Sequence, residues 1–346
     1  MRPVSLNPVF AVYFCFFASA LFGQDSTSKV MLQEIEIRGQ HFRNELARLP
    51  ETQGSFIFSG KKNEVVHVCS LDADLSSNQA RQLFAKVPGI SIWESDGSGI
   101  QTGVSSRGLS PNRSWEFNVR QNGYDICSEV FGYPEAYYSP PAEAIEKIEL
   151  VRGAASLQFG PQFGGLLNYQ IKKAPKDRPI SFESMQTLGS YGLFNSYNAL
   201  GGTLGKWSYY GYYHHRSADG WRENSAYRTN TGYLSINYSP NPKWNIGLDY
   251  TRMDYLSQQA GGLTDSLFRL DSRQSLRARN WFSAPWNVGS ITLEYNWNEQ
   301  SRFTLKLFGT HSQRNSVGFT KAINIPDTFN LSLNAFNPRQ VDRDRY

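Results

Sequence analysis

The second half of the chain alternates apolar and polar residues with a period of two. Trp244, Ile246, Leu248 and Tyr250 alternate with polar or small residues, and the segment from Ile291 to Trp297 repeats the pattern. Successive side chains of a β-strand point to opposite faces, so the pattern predicts strands with one apolar and one polar face and excludes helices. About seven such strands are predicted, over residues 180–188, 194–203, 206–216, 228–239, 243–254, 288–298 and 301–312.

Three features of these strands favour a membrane barrel. The charges of Asp249, Glu294 and Lys306 stand in mid-strand on the polar face, as expected where strands face a wet or protein-filled lumen. Aromatic residues stand at strand ends, where amphipathic rings favour the membrane–water boundary. Tight turns alternate with longer polar stretches at residues 217–227 and 255–287, as short inner turns and long outer loops do in barrels. A soluble sandwich, whose strands also alternate, is the alternative.

Residues 337–343 follow these strands and are predicted not to form a strand. A sheet that ended there would leave an open edge in hydrocarbon, where each unsatisfied backbone group costs several kcal/mol. We therefore expect the sequence to be an N-terminal fragment of a longer protein.

The N-terminus predicts a secretory signal peptide over residues 1–23. It has a basic start at Arg2, an apolar run from Val9 to Phe22, and small residues before a polar segment. The run is shorter than the ~20 residues of a spanning helix, and an uncleaved anchor is the alternative. Export permits a disulfide between Cys69 and Cys127, and two buried free thiols are the other interpretation.

Residues 46–173 differ from the alternating half and predict an α/β domain. Helical spacing of apolar residues predicts a helix over residues 77–87. Strands are predicted at residues 90–93 and 147–151. Asn122-Gly123 predicts a hairpin turn, because both central positions of such a turn take φ > 0.

Within this domain, five sequence blocks follow one another in a fixed order. The blocks are Val87–Ile90, Ser106–Leu109, Asn122-Gly123, Ile145–Gly160 and Gly164–Asn168. Together they resemble the plug of TonB-dependent outer-membrane receptors, and Phe159–Gly165 is most similar to the ferric dicitrate receptor branch. The chain departs from the family pattern at Arg120-Gln121, where Leu-Asp is usual before the glycine-containing turn, and at Lys147, where arginine is usual.

The resemblance implies a fold and a domain order. The fold is an α/β plug domain followed by the first strands of a transmembrane antiparallel β-barrel, which in the family has about 22 strands. The predicted order is a signal peptide (1–23), an N-terminal segment (24–45), the plug (46–173) and the N-terminal part of the barrel, here called the barrel wall (174–346).

The N-terminal segment contains a short alternating run. Its residues are Leu32, Gln33, Glu34, Ile35, Glu36 and Ile37. An unpaired strand of this kind can add to the sheet edge of another protein through main-chain hydrogen bonds. The resemblance implies that the run is the TonB box, which pairs with TonB of the TonB, ExbB and ExbD energy complex. The alternative is that it is the plug's first strand.

Four charged plug residues are candidates for joining the plug to the barrel: Arg107, Glu146, Glu149 and Arg152. Buried charges are costly unless paired, and a plug held in a polar lumen offers partners. The resemblance implies that the corresponding arginines and glutamates tie the plug to the barrel. Solvated strand charges are the alternative.

Candidate ligand contacts lie in plug loops and in one barrel loop. They are Asn112, Arg113, Gln121, Tyr133, Tyr137, Tyr138, Gln258 and Gln259. Arginine suits a carboxylate-rich chelate because its planar fork binds carboxylates bidentately. Plain surface residues are the alternative.

Motifs for catalysis or metal binding are not found in the sequence. It contains no P-loop, HExxH or GxSxG motif, and His214 and His215 are adjacent on a strand, so they point to opposite faces. We therefore expect no enzyme activity, no cofactor and no metal site. The net charge of +5, without blocks of either sign, excludes a polybasic arm for nucleic acid.

These observations together predict a receptor in the outer membrane of a Gram-negative bacterium, in contact with its lipid. It is expected to bind a ferric chelate, resembling ferric dicitrate, and to import it with energy from the TonB complex. The alternatives are a receptor for another siderophore, cobalamin or a glycan, then a passive porin, and lastly an outer-membrane enzyme.

Overall fold

A computed structural model describes most of the chain from residue 45 onwards. The described residues are 45–53, 56–58, 63–94, 97–114, 116–127, 136–153, 158–160, 162, 164–327, 329–330, 335–336 and 340–345. The predicted signal peptide and TonB box lie outside the described residues, so both stay predictions.

The plug contains ten short strands in its described residues. They are β1 Leu46–Arg48, β2 Thr52–Gln53, β3 Phe56–Ile57, β4 Glu64–His67, β5 Ile90–Glu94, β6 Thr102–Ser106, β7 Phe117–Gln121, β8 Tyr124–Asp125, β9 Ile145–Val151 and β10 Gly165–Ile171. Six of them form a mixed sheet in the order β1-β4-β9-β10-β7-β8, in which β10 and β7 run parallel. Fully buried apolar side chains form its core, among them Val66, Phe117, Ile148, Leu150 and Leu167.

The predicted plug helix is much shorter than expected. Helix α1 spans Ala80–Leu83, whereas the spacing of apolar residues predicted residues 77–87. The Asp74 carboxylate accepts hydrogen bonds from the backbone N–H groups of Ser76 at 3.0 Å and Ser77 at 3.3 Å. This local bonding holds the preceding residues in a turn, because an aspartate that binds nearby backbone groups competes with helix formation.

The predicted plug strands and hairpin are confirmed. Strands β5 and β9 include residues 90–93 and 147–151. The turn between β7 and β8 is formed by Asn122, with φ 47°, and Gly123, with φ 82°. Both values lie in the left-handed region, which asparagine and glycine adopt most readily.

The barrel wall is an antiparallel sheet. Its strands are β11 Ser181–Leu188, β12 Phe194–Leu204, β13 Trp207–Ala218, β14 Tyr227–Asn241, β15 Trp244–Gln258, β16 Trp281–Ser283, β17 Trp286–Asn296 and β18 Arg302–Gly318. Strands β16 and β17 both lie between β15 and β18. Helix α2, Asp265–Leu270, lies in the loop before β16. All seven predicted strands are confirmed, with ends that differ by a few residues.

The prediction that residues 337–343 form no strand is wrong. Two small strands, β19 Phe329–Asn330 and β20 Ala335–Phe336, pair with each other, and β21 Gln340–Arg345 pairs antiparallel with β18. The charged sequence of β21 carries no apolar alternation. Antiparallel pairing requires only main-chain donors and acceptors, so a polar strand can add to an existing edge.

The two faces of the barrel wall have opposite environments. On β15, Ile246, Leu248 and Tyr250 are exposed on the outward face, while Met253 and Tyr255 are buried on the inward face. The inward side chains join one hydrophobic cluster with residues of the plug. Within the described part of the chain, no helix has the length and apolar character needed to cross a membrane.

Cys69 and Cys127, the two cysteines among the described residues, are free thiols in this structure. Cys69 is exposed and Cys127 is half-buried. The disulfide interpretation is therefore not realised here, and burial of both thiols, the other interpretation, does not hold for Cys69.

Candidate ligand pocket and plug–barrel contacts

A cavity of about 320 Å³ lies between the plug and the barrel wall, at the end where the long loops begin. Its walls are aromatic on several sides, from Trp93 and Tyr137 of the plug and from Trp281 and Phe282 of β16. Four amide side chains complete much of the lining: Gln101, Asn112, Gln259 and Asn280. A concave site with an aromatic lining and a few polar groups is the usual form of a small-molecule pocket.

Arg314 is the single charged residue among the described residues that line this cavity. Its Nε donates a hydrogen bond of 3.1 Å to the Tyr137 hydroxyl. Its guanidinium carbon lies 5.7 Å from the centre of the Tyr137 ring and 5.5 Å from that of Phe282. These aromatic contacts hold the planar cation in one orientation at the cavity wall, where it can meet a carboxylate.

Three of the predicted ligand residues, Asn112, Tyr137 and Gln259, meet at this cavity although they are distant in sequence. Gln258 lies beside the cavity, and its side-chain oxygen accepts a hydrogen bond of 3.2 Å from the Ala226 backbone N–H. The side chains of Arg113 and Tyr133 lie outside the described residues.

Gln121 and Tyr138, also predicted as ligand residues, are not among the residues that line this cavity. Both are fully buried. The Tyr138 hydroxyl donates to the Gln121 side-chain oxygen at 2.7 Å, and Gln121 Nε2 donates to the Thr251 hydroxyl at 3.0 Å. These two residues therefore join the plug to β15.

The sequence analysis missed Arg314, Asn280, Trp281 and Phe282. Arg314 lies within β18, and Trp281 and Phe282 lie within β16, whereas the ligand contacts were expected in loops. An aromatic pair directly after a long polar stretch is the signal that could have indicated them.

Arginines connect the long loops above the cavity. Arg277 is buried and donates to the backbone carbonyl oxygens of Ile325 at 2.8 Å and Lys321 at 2.9 Å. Arg222 donates to the carbonyl oxygens of Gly261 and Gln274, both at 2.8 Å. Three loops next to the cavity are joined in this way, and loops that are already ordered reduce the entropy cost of binding.

The four charges predicted to tie the plug to the barrel have no described ion pair with the wall. Arg152 forms an ion pair of 2.8 Å with Glu64, and Glu149 forms one of 2.8 Å with Lys147. These described contacts lie within the plug. Arg107 and Glu146 are exposed.

Glu149 is nevertheless well held inside the plug. It accepts a hydrogen bond of 2.8 Å from Asn168 Nδ2. Burial raises the pKa of the Glu149 carboxyl, but the Lys147 ammonium together with Asn168 and Gln53 outweighs burial, so the pKa lies below its ordinary value. The carboxylate therefore stabilises the plug in its charged form.

Other residues connect the plug to the barrel wall. Asn195 Nδ2 on β12 donates to the Glu143 carboxylate at 2.7 Å, and Arg216 on β13 donates to the Ser98 carbonyl oxygen at 3.2 Å. The Asn122-Gly123 turn contacts Asp249 and Lys306 on the inward face. The sequence had marked Asp249 and Lys306 as mid-strand charges and Asn122-Gly123 as a turn, but it gave no sign that they meet.

A second cavity of about 440 Å³ lies at the opposite end of the wall, beside the tight turn between β12 and β13. Cys69, Glu146 and Lys172 line it from the plug side, and Tyr210 from the wall. Lys172 forms an ion pair of 2.7 Å with Glu183. Among the described residues, no group of three or more His, Cys, Asp or Glu side chains is arranged to hold a metal ion.

Comparison with known protein families identifies the plug. The segment 66–166 matches the family described as TonB-dependent Receptor Plug Domain. Residues 66–166 are a TonB-dependent receptor plug domain. The family resemblance given by the five sequence blocks is thereby confirmed.

Solved structures of TonB-dependent receptors share the fold. The ferric citrate transporter FecA in its unliganded form is 23% identical, with a TM-score of 0.63 over 75% of this chain and 41% of that chain. The ferripyoverdine receptor of the outer membrane of Pseudomonas aeruginosa is 15% identical, with a TM-score of 0.60 over 81% of this chain and 37% of its own. The siderophore receptor PirA from Acinetobacter baumannii is 16% identical, with a TM-score of 0.55 over 83% and 44%.

These similarities confirm the predicted fold, a plug followed by the first strands of a barrel. This chain spans about two fifths of the length of the solved structures it matches.

Proposed function

We propose that this chain is the plug-bearing part of an outer-membrane receptor that binds a ferric chelate and imports it with energy from TonB. The observation that carries the proposal is the cavity between plug and wall, where Arg314 lies against the neighbouring rings of Tyr137 and Phe282. A ligand in this cavity touches both the plug and the wall. Its binding can therefore be sensed by the plug, as import through a plugged barrel requires.

A carboxylate-rich chelate, such as ferric dicitrate, fits the chemistry of Arg314. A planar guanidinium binds carboxylates through paired hydrogen bonds, and the two neighbouring aromatic rings reduce its contact with water. The similarity to the ferric citrate transporter FecA supports the same ligand class.

The coupling to TonB is proposed from the sequence of the N-terminal segment. The alternating run at residues 32–37 supplies an unpaired strand for TonB, which acts with ExbB and ExbD. The exposed apolar face of the wall, including Ile246, Leu248 and Leu305, supports contact with outer-membrane lipid. A passive porin is disfavoured, because the inward face of the described wall is covered by the plug.

A receptor for a neutral ligand, such as a glycan, is the second candidate. The observation that favours it is the lining itself, in which four aromatic and four amide side chains accompany one charge. Amides donate and accept hydrogen bonds and suit hydroxyl groups, while aromatic faces contact the apolar side of a sugar ring.

The test is a binding panel with the purified full-length protein. Ferric citrate, a ferric hydroxamate, a ferric catecholate, cobalamin and an oligosaccharide are titrated calorimetrically against the wild type, Arg314→Gln and a control, Arg252→Gln. Arg252 lies on the same sheet but is exposed on the outward face.

We expect ferric citrate to bind and Arg314→Gln to weaken it by about 10- to 100-fold, since a charge-assisted hydrogen bond contributes about 1.5–3 kcal/mol. Arg252→Gln should leave the affinity unchanged. Equal affinity of wild type and Arg314→Gln for ferric citrate would overturn the carboxylate assignment, and binding of the oligosaccharide alone would establish the second candidate.

A further inference from the structure

We propose that Asn122 is the residue through which the barrel wall positions the plug, and that Asp249 and Lys306 form its socket. Asn122 Nδ2 donates to the Asp249 carboxylate at 3.0 Å and is 3.0 Å from the Tyr233 hydroxyl. The Lys306 ammonium donates to the Asn122 carbonyl oxygen at 2.5 Å. One plug residue is thus held by wall charges of both signs.

The Asn122 side chain bridges the plug and the wall. Its Oδ1 accepts a hydrogen bond of 3.0 Å from the Ile171 backbone N–H in the plug, while its Nδ2 faces the wall. The oxygen of this amide therefore binds the plug, and its nitrogen binds the wall. An aspartate at this position would keep the first bond but would place two carboxylates about 3 Å apart, which disfavours the ionised form of both.

The turn geometry restricts what can occupy the socket. A Cβ on Gly123 would lie 3.4 Å from Lys306 Nζ, and φ is positive at both turn residues. The Gly123 backbone N–H is bound at 2.9 Å by the side-chain oxygen of Asn168. The hairpin therefore presents the Asn122 carbonyl oxygen and amide to the wall in a fixed orientation.

The charges of the socket explain why it anchors the plug. Asp249 and Lys306 are half-buried on the inward face, and a desolvated charge is costly without partners. If the turn moved away, Lys306 would lose its hydrogen bond to the Asn122 carbonyl oxygen and Asp249 would lose its hydrogen bond from the Asn122 amide. The socket therefore opposes displacement of the hairpin, and in an importer, which is the function proposed above, this displacement must precede passage of the ligand.

A charge transposition tests this inference. The variants are Asn122→Asp, Asp249→Asn and the double variant Asn122→Asp/Asp249→Asn, all in the full-length protein. Asn168→Asp is the matched control, because Asn168 binds Glu149 inside the plug and has no described bond to the socket charges. Amide hydrogen exchange of residues 117–125 is measured in detergent, without any ligand.

We expect Asn122→Asp to lower the protection factors of residues 117–125 by about tenfold, which corresponds to about 1.4 kcal/mol. Addition of Asp249→Asn should restore them to within about twofold of the wild type, because the carboxylate and amide have exchanged places. The same substitution should not restore Asn168→Asp. Rescue by Asp249→Asn only in the Asn122→Asp background would distinguish a specific loss of the socket contact from general destabilisation of the fold.

Cells carrying the full-length gene provide the transport readout. Intact outer membranes exclude vancomycin, so sensitivity to it should rise in Asn122→Asp and should fall back to the wild-type level in the double variant. The Kd of ferric citrate should stay within about twofold of the wild-type value in all variants. Unchanged exchange in Asn122→Asp, or failure of rescue, would overturn the inference. Lack of ferric chelate uptake by the wild type would overturn the proposed function instead, since the exchange measurement requires no ligand.

Discussion

The plug and the barrel wall bury their side chains in opposite ways. The plug encloses Ile148 and Leu150 in its own centre, as a globular domain does. The wall exposes Leu248 and Leu305 outward and buries inward side chains, Met253 among them, against the plug. The wall therefore depends on two neighbours, an apolar environment outside and a protein inside. We therefore expect the two regions to respond differently to the same kind of substitution.

The alternation that defines the wall could be predicted from sequence, because each strand repeats a two-residue pattern over many positions. The predicted strand at 243–254 corresponds to β15, Trp244–Gln258, and short turns follow β12, β14 and β17. Strand β21 was missed because its charged sequence carries no apolar alternation, whereas antiparallel pairing requires only main-chain donors and acceptors.

The plug was predictable only where a local signal was strong. Asn122-Gly123 gave the hairpin because the turn imposes its own residue types. Helix α1 was overestimated because the bonds of Asp74 with Ser76 and Ser77 outweigh apolar spacing. The cavity joins Trp93, Tyr137 and Arg314, which are separated by many residues, so it follows from tertiary packing that a single sequence does not reveal.

The largest expected effect tests whether force reaches the plug through the N-terminal segment and not through the wall. Ile35→Pro should abolish energised uptake, because proline removes a main-chain donor from the segment proposed to pair with TonB. The affinity of the purified protein for its chelate should not change. Ser28→Pro, which lies before the alternating run, is the control. Uptake that persists in Ile35→Pro would show that coupling does not use this strand.

The next effect concerns the plug core. Ile148→Ala should destabilise the plug by about 2–5 kcal/mol, since it removes a fully buried side chain and leaves a cavity. Leu305→Ala on the outward face should cost clearly less, because the surrounding acyl chains can fill the space. Urea-induced exposure of the plug, followed by hydrogen exchange, measures both. Equal costs would contradict the contrast between the two regions.

A charge on the outward face tests the wall directly. Leu248→Arg should destabilise the folded wall in vesicles by about 2–4 kcal/mol, the cost of an arginine near the middle of the bilayer. Asn245→Arg on the inward face of the same strand lies beside Glu294 and should cost less than about 1 kcal/mol. Denaturant titration in lipid vesicles compares them, and a reversed order would place the membrane on the other face.

The smallest expected effect is the pH dependence of the plug. The pKa of Glu149 is lowered in the folded protein, so its contribution is present above the unfolded value of about 4.3 and is lost as the pH falls through the folded-state value. Glu149→Gln should cost about 1 kcal/mol at neutral pH and should flatten the acid side of the stability curve. Thermal melts of the full-length protein between about pH 3 and pH 7 measure this. If Glu149→Gln lost stability at low pH as steeply as the wild type, the assignment of this pH dependence to Glu149 would be contradicted.

The orientation of β15 is the most direct test of whether the wall lies between lipid and the plug. Nitroxide labels are placed singly at residues 244–251 of the full-length protein in lipid vesicles, with Cys69 and Cys127 replaced by serine. Collisions with oxygen, which dissolves in acyl chains, and with a water-soluble nickel complex are then measured. We expect labels at 244, 246, 248 and 250 to collide with oxygen and labels at 245, 247, 249 and 251 to be shielded from it. Loss of this alternation, or outward labels that collide mainly with nickel, would contradict a wall between lipid and plug.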